Sequence, residues 1–311
     1  MIIQNSLNNL NRKKYVLRTL ALTMTATVLR WALDCLNQRK AVVLATVIET
    51  SGSVPGKVGA RIAMSDLGNS WVGTVGGAGL EMKVLSRCKD LIKKYSNPYG
   101  EVKIFGLNKG AKGYEVQPLD SLCGGRVTLS IEVMIPMPHI LLIGGGHCAQ
   151  ALADSIDLLG WSFSVHDTRQ EFCNSELFPS SSKLYHSNVA DFLKSIENEE
   201  PSKFSDILLL GHDWSEDQQR LLGLLELFSN SNLELNGSQA PRIGVIGSRS
   251  KWQEFEKQGL EKGISQEMLD SVICPIGLNI GAQSPEEIAI AVLAQVMSNF
   301  KNIDPNEPNW R

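Results

Sequence analysis

The stretch that most constrains this chain is residues 139–167, where an apolar run, a glycine-rich turn, an amphipathic segment, a second apolar run and an acid follow in immediate succession. His139–Ile143 reads as a buried strand, and Gly144-Gly-Gly-His-Cys-Ala149 follows at once. Beyond it, Cys148, Ala149, Leu152, Ala153, Ile156 and Leu159 are spaced for one buried helix face, which Gly160 ends. Residues 161–166 form the next strand, with Asp167 at its end. In Gly144-x-Gly146-x-x-Ala149 the first glycine permits a tight turn, the second lets a phosphate approach the backbone, and the alanine lets helix pack on strand. The helix N-terminus then presents N–H donors and a partial positive charge. Asp167 stands 21 positions after Gly146, where such a fold places the carboxylate that accepts a ribose or other ligand hydroxyl. The pattern predicts a Rossmann-like domain.

The flanking sequence extends this prediction. Strands at 206–210 and 242–246, each followed by a helical pattern, imply a doubly wound parallel sheet with helices on both faces. The last helix opens with the capping box Ser284-Pro-Glu-Glu287, and its body, 288–297, is apolar almost all round and is expected to be buried. The domain so defined runs from 139 to 300, with a tail at 301–311. Pro136-Met-Pro138 is a short stiff linker, and 27–135 reads as a smaller α+β domain. Its strands are expected at 41–49, 61–65, 70–75, near 102–105 and at 126–135, with a hairpin signal at Asp66-Leu-Gly-Asn69. Gly76-Gly-Ala-Gly79 opens a helix whose buried positions are Leu80, Val84, Leu85, Cys88, Leu91 and Ile92. A second glycine-rich loop, Ser121-Leu-Cys-Gly-Gly125, precedes the last strand. The fold class is therefore α/β: a small α+β domain, then a Rossmann-like one.

Composition removes other classes. The 311 residues are 43% hydrophobic and 20% charged, an ordinary globular balance. A net charge of −3 gives no basic footprint for nucleic acid. Six scattered cysteines without a CxxC pair argue against a zinc site or disulfide framework and for a reducing, cytoplasmic setting. Residues 1–26 carry Arg12, Lys13, Lys14 and Arg18 and no acid. The apolar stretch 19–29 has the length of a secretory core but lacks a small-residue cleavage site, so a poorly ordered leader running into the first helix is expected. No other run approaches the ~20 apolar residues of a membrane span.

Several segments together resemble the XdhC/CoxI family of accessory factors for xanthine dehydrogenase and related molybdenum hydroxylases. In the first half these are Thr50-Ser-Gly-Ser-Val-Pro-Gly56, Gly73-Thr-Val-Gly-Gly-Ala-Gly-Leu-Glu81 and Cys123-Gly-Gly125. In the second they are Gly144-Gly-Gly-His147, His166-Asp-Thr-Arg169, Gly211-His-Asp213, Ile246-Gly-Ser-Arg249 and Pro275-Ile-Gly-Leu278 through Pro285-Glu-Glu-Ile288. The resemblance implies a carrier more than a catalyst. Such a carrier binds molybdenum cofactor, a molybdopterin dithiolene with a terminal phosphate, and shields it while a cysteine desulfurase replaces an oxo ligand by sulfido. It then delivers the cofactor to the apo-hydroxylase. On this reading Gly76, Gly77, Gly79, Glu81, Cys123, Gly124, Gly125, Gly144, Gly146, His147, Asp167 and Arg249 line the cofactor site. Arg249 and Lys251 follow a strand end, where the ligand crevice of a doubly wound fold lies. Cys123 is the soft side chain suited to contact molybdenum or sulfur. Leu122 stands where family members often have another cysteine, so a two-cysteine relay at this loop is excluded.

Two other functions compete. An NAD(P)-dependent oxidoreductase would explain Gly144, Gly146 and Asp167 but leaves the first-half glycine loops without purpose. An interaction scaffold would dock the hydroxylase without holding cofactor. No set of catalytic residues stands out, and a homodimer is the default assembly.

Overall fold

A computed structural model describes residues 25–65, 68–107, 116–118, 124–199, 201–211, 213–230 and 240–307. The chain divides into two units, Met1–Pro136 and Met137–Arg311. Residues 1–24, most of the expected leader, lie outside the described residues.

The first unit is built on six strands: β1 (Val42–Ser51), β2 (Arg61–Ser65), β3 (Ser70–Gly73), β4 (Tyr99–Gly106), β5 (Val116–Pro118) and β6 (Arg126–Met134). Their order in the sheet is β3-β2-β1-β6-β4-β5, antiparallel except for the parallel β4–β5 pair. Alternate residues of β1 feed two cores. Val43, Ala45 and Val47 pack with Leu80, Val84, Cys88, Leu91 and Ile92 of helix α2 (Ala78–Lys94), while Val42 and Leu44 pack with Val28, Ala32 and Cys35 of helix α1 (Thr25–Asn37). Burial on both faces is why β1 reads as a continuous apolar run. Leu85, expected in the α2 core, is half-buried at its margin. The strand expected to reach 75 stops at Gly73, where φ is +93° and a Cβ would stand 2.2 Å from the Arg61 carbonyl oxygen. β2 and β3 pair as the hairpin signal requires, although Asp66 and Leu67 of the turn lie outside the described residues.

The second unit is a parallel sheet of β7 (His139–Ile143), β8 (Ser162–Asp167), β9 (Lys183–His186), β10 (Asp206–Leu209) and β11 (Arg242–Val245), ordered β11-β10-β7-β8-β9. The chain leaves β7 in one direction to build β8 and β9, then returns to build β10 and β11 on its other side. β7 therefore lies at the topological switch point, where doubly wound folds open a crevice beyond the strand ends. Helices α3 (His147–Leu158) and α8 (Pro285–Lys301) cover one face, over Ile140, Leu142, Phe163, Val165 and Leu208. Helices α4 (Val189–Asn198), α5 (Trp214–Asn230), α6 (Arg249–Glu261) and α7 (Gln266–Asp270) cover the other, over Leu141, Ile143, Ile207, Leu209 and Val245.

The body of α8 is not buried all round: Ala289, Val292, Leu293 and Val296 face the core, but Ile290 is 60% exposed, because a helix on a sheet face buries only a stripe. Cys148 and Leu159, expected in the α3 core, are half-buried. Among the described residues no helix is long and apolar enough to cross a membrane.

Candidate functional site

Three consecutive glycines link β7 to α3, and the fold requires only the first two to be glycine. Gly144 has φ +101°, and a Cβ there would stand 2.8 Å from the Gly211 nitrogen. At Gly145 a Cβ would stand 1.8 Å from the Phe172 carbonyl oxygen. Gly146 has φ −70° and ψ −170°, which any residue adopts, and a Cβ there would meet nothing within 4 Å. The first two glycines let the protein pack on itself. Only the third faces open space.

Gly146 is also the N-cap of α3, with no side-chain cap and no acid in the first turn. This sets α3 apart from the helices that follow. Asn188, Ser248, Ser265 and Ser284 cap α4, α6, α7 and α8, and Asp213 accepts from the Glu216 N–H at the start of α5. At α3 no cap side chain or first-turn acid answers the helix N-terminal donors and the positive end of the dipole. His147 is exposed beside them and Cys148 half-buried. Burial, with the charge of Glu286, pushes the Cys148 thiol above its ordinary value, so it is no thiolate at neutral pH.

Asp167 lies at the end of β8, as expected, but its carboxylate faces inward. Oδ1 accepts from the Arg169 backbone N–H and Nε, each at 2.9 Å. Oδ2 accepts from the Gly145 N–H at 2.8 Å and from Arg169 Nη2 at 2.8 Å. The side chain is 3% exposed. Burial opposes ionisation, yet these bonds from Arg169 and Gly145 bring its pKa to about 2. The Arg169 guanidinium lies over the Phe172 ring, 4.0 Å from its centroid. The acid thus pins the glycine turn, and a short segment from Arg169 to Cys173 closes over it.

Further charges at the same strand ends pair among themselves. Thr168 donates to Glu216, Arg220 to both Glu216 and Asp217, and Lys251 to Asp217 at 2.8 Å. Asp217 fits only because residue 211 is glycine, since a Cβ there would stand 2.0 Å from its Oδ1. Sequence reasoning placed Lys251 in the crevice but missed its partner, which lies 34 residues away and carries no local signal. Arg249 is the first residue of α6 and is exposed. Behind this network His166 is fully buried, stacked on Phe192, with Nε2 3.1 Å from the Ser187 carbonyl oxygen. Burial, then the charge of Arg220, pushes its pKa down to about 3.

The first unit carries a second uncapped glycine entry, at α2. Its N-cap is Gly77, with φ +105° and no side-chain cap. A Cβ at Gly76 would stand 2.3 Å from Gly56 Cα, and one at Gly77 3.2 Å from Pro55 Cγ, whereas Gly79 meets nothing within 4 Å. Glu81 lies in the first turn and accepts from Thr74 Oγ1 at 2.5 Å. Gly124 is open and exposed, while a Cβ at Gly125 would stand 2.4 Å from Val54 Cγ1. Cys123, the expected soft contact, lies outside the described residues. Among the described residues no group of three His, Cys, Asp or Glu side chains could hold a metal ion.

Comparison with known proteins bears on both units. Residues 140–296 match the model of the XdhC Rossmann domain, and residues 35–97 that of the XdhC and CoxI family. The uncharacterized protein YqeB of Escherichia coli (strain K12) is 30% identical over 259 residues, 83% of this chain and 43% of that one. A probable xanthine dehydrogenase subunit of Bacillus subtilis (strain 168) is 26% identical over 174 residues, 56% of this chain and 46% of that one. The chain thus spans less than half the length of these two curated relatives. A crystal structure of a xanthine dehydrogenase from Bacillus halodurans is 19% identical and covers 89% of this chain and 97% of that one, with a TM-score of 0.45.

Proposed function

Because the chain belongs to the XdhC and CoxI family, we propose that it is an accessory factor that carries molybdenum cofactor to a xanthine dehydrogenase-type hydroxylase. The cofactor is its cargo, held during sulfuration by a cysteine desulfurase and then released to the apo-enzyme, in the cytoplasm and by a homodimer.

The observation that carries this reading is the uncapped start of α3 over the open Gly146. The residues present suit the phosphate end of the cargo. First-turn N–H groups, the helix dipole and the exposed His147 supply donors, and no side chain intrudes at Gly146. The α2 entry, with the open Gly79 and the exposed Gly124, offers backbone to the same kind of ligand. Cys123 is the candidate soft contact for molybdenum or sulfur.

The internal pairing of Asp167 weighs against the competing oxidoreductase, since that enzyme needs the carboxylate to read a ribose. The test is the content of the protein purified from cells that make the cofactor. Pterin fluorescence and molybdenum approaching one per chain support the carrier. Reduced-nicotinamide binding with no pterin supports the oxidoreductase, and neither ligand leaves a docking scaffold.

A further inference from the structure

The Asp167–Arg169 pair has a consequence for which ligands the second unit accepts. In dinucleotide-binding folds of this topology, the acid at the end of the second strand accepts hydroxyls from the adenosine ribose. A carboxylate has about four acceptor positions. At Asp167 all four are engaged by this chain: two by the Gly145 and Arg169 backbone N–H groups, two by the Arg169 guanidinium. The Phe172 carbonyl lies against Gly145 and fills the space alongside. Arg169 itself is held on two sides, by the carboxylate and by the Phe172 ring.

We propose that Arg169 is a specificity-determining residue that closes this turn to adenine dinucleotides with a free ribose diol, by occupying the acceptor that diol requires. The turn keeps its affinity for phosphate, because the α3 donors do not depend on Arg169. The exclusion is built from one side chain and is reversible by substitution. Removing the guanidinium frees one position on each oxygen of Asp167 while leaving the Gly145 contact that holds the turn.

The inference rests on the reading of the α3 turn as a phosphate site, and the two fail separately. An absence of pterin and molybdenum from the purified protein removes the carrier but says nothing of Arg169. The test uses the full chain and two variants: Arg169→Ala, and Arg169→Met, which keeps packing on Phe172 and loses every side-chain donor. NADH is the probe, followed by its fluorescence. NADPH, whose 2′-hydroxyl is phosphorylated, is the control. Wild type is expected to bind NADH only weakly, and both variants at least about tenfold more tightly. NADPH affinity stays within about twofold, because it lacks the free diol. Tight NADH binding by wild type overturns the proposal. So does unchanged NADH affinity in an Arg169→Met variant that keeps the wild-type melting temperature, or an equal gain for NADPH, which marks general loosening.

Discussion

The two glycine entries differ in what they leave for a ligand. Both begin a helix without a side-chain cap, and both use glycine to let backbone segments touch. The α2 turn, however, brings its own anion: Glu81 sits in the first turn, tied to Thr74. The α3 turn has none in that position: Asp167 beside it is paired with Arg169, and the charge of Glu286 reaches Cys148 only from another helix, α8. A negative group inside the first turn already answers the dipole, so an external phosphate gains less there. On the proposed reading α3 is the stronger phosphate seat, and α2 the weaker.

This contrast is open to attack. The largest effect is expected from Gly145→Ala. The new methyl group would overlap the Phe172 carbonyl, and the second unit should lose about 3 kcal/mol in denaturant unfolding. Alanine at Gly79, where space is open and α2 helical, should leave the first unit within about 1 kcal/mol or stabilise it. If both cost the same, the packing account of the α3 turn is wrong.

Acid should separate the two turns next. The Gly144 N–H donates to the His166 carbonyl, so the α3 turn stands on a residue whose ring is buried and neutral. His166 titrates near 3 in the folded chain, against about 6.5 when unfolded. The unfolded state therefore takes up the proton first. The His166 contribution to stability is present in full above about pH 6.5 and falls as pH drops towards 3, with about 2 kcal/mol of it gone by pH 5. Hydrogen exchange at the α3 turn should quicken over this range while the α2 turn changes less. His166→Phe should flatten that dependence.

Gly146→Val addresses binding. Its backbone dihedrals suit a β-branched residue, so stability should change by less than about 1 kcal/mol. The side chain would crowd the donors, and cargo affinity should fall about tenfold or more, measured as pterin retained through gel filtration. Retention equal to wild type would place the cargo elsewhere. The smallest effect is expected from Glu81→Gln, which keeps a hydrogen bond to Thr74 and removes the charge. Inorganic phosphate should bind the α2 turn about two- to fivefold more tightly, read from the Gly79 and Leu80 amide shifts. An unchanged affinity would mean that Glu81 does not set the difference between the turns.

Much of this was legible in the sequence because local rules decide it. The run from His139 to Asp167 fixes strand, turn, helix and strand in order, and β7 takes the central place that order demands. What escaped depends on contacts between distant segments. β9 is four residues long with no apolar run, and β5 is three, so neither announces itself. The glycines look alike in sequence, yet Gly144 answers to Gly211, Gly145 to Phe172, and Gly146 to open space. Asp167 matched the position of a ribose acceptor. The Asp-Thr-Arg spacing held the other clue, since residues two apart in extended backbone point the same way. Ile290 shows the opposite error, an apolar residue whose type suggested a core that the packing of α8 does not supply.

The most direct test of the central claim is a titration of the full-length, isotope-labelled chain with extracted molybdopterin, followed by backbone amide shifts. The largest changes are expected at Gly146, His147 and Cys148, smaller ones at Gly79 and Leu80, and loss of the former in Gly146→Val. Shifts confined to the α2 turn, or no change at the α3 amides under saturating ligand, would contradict it.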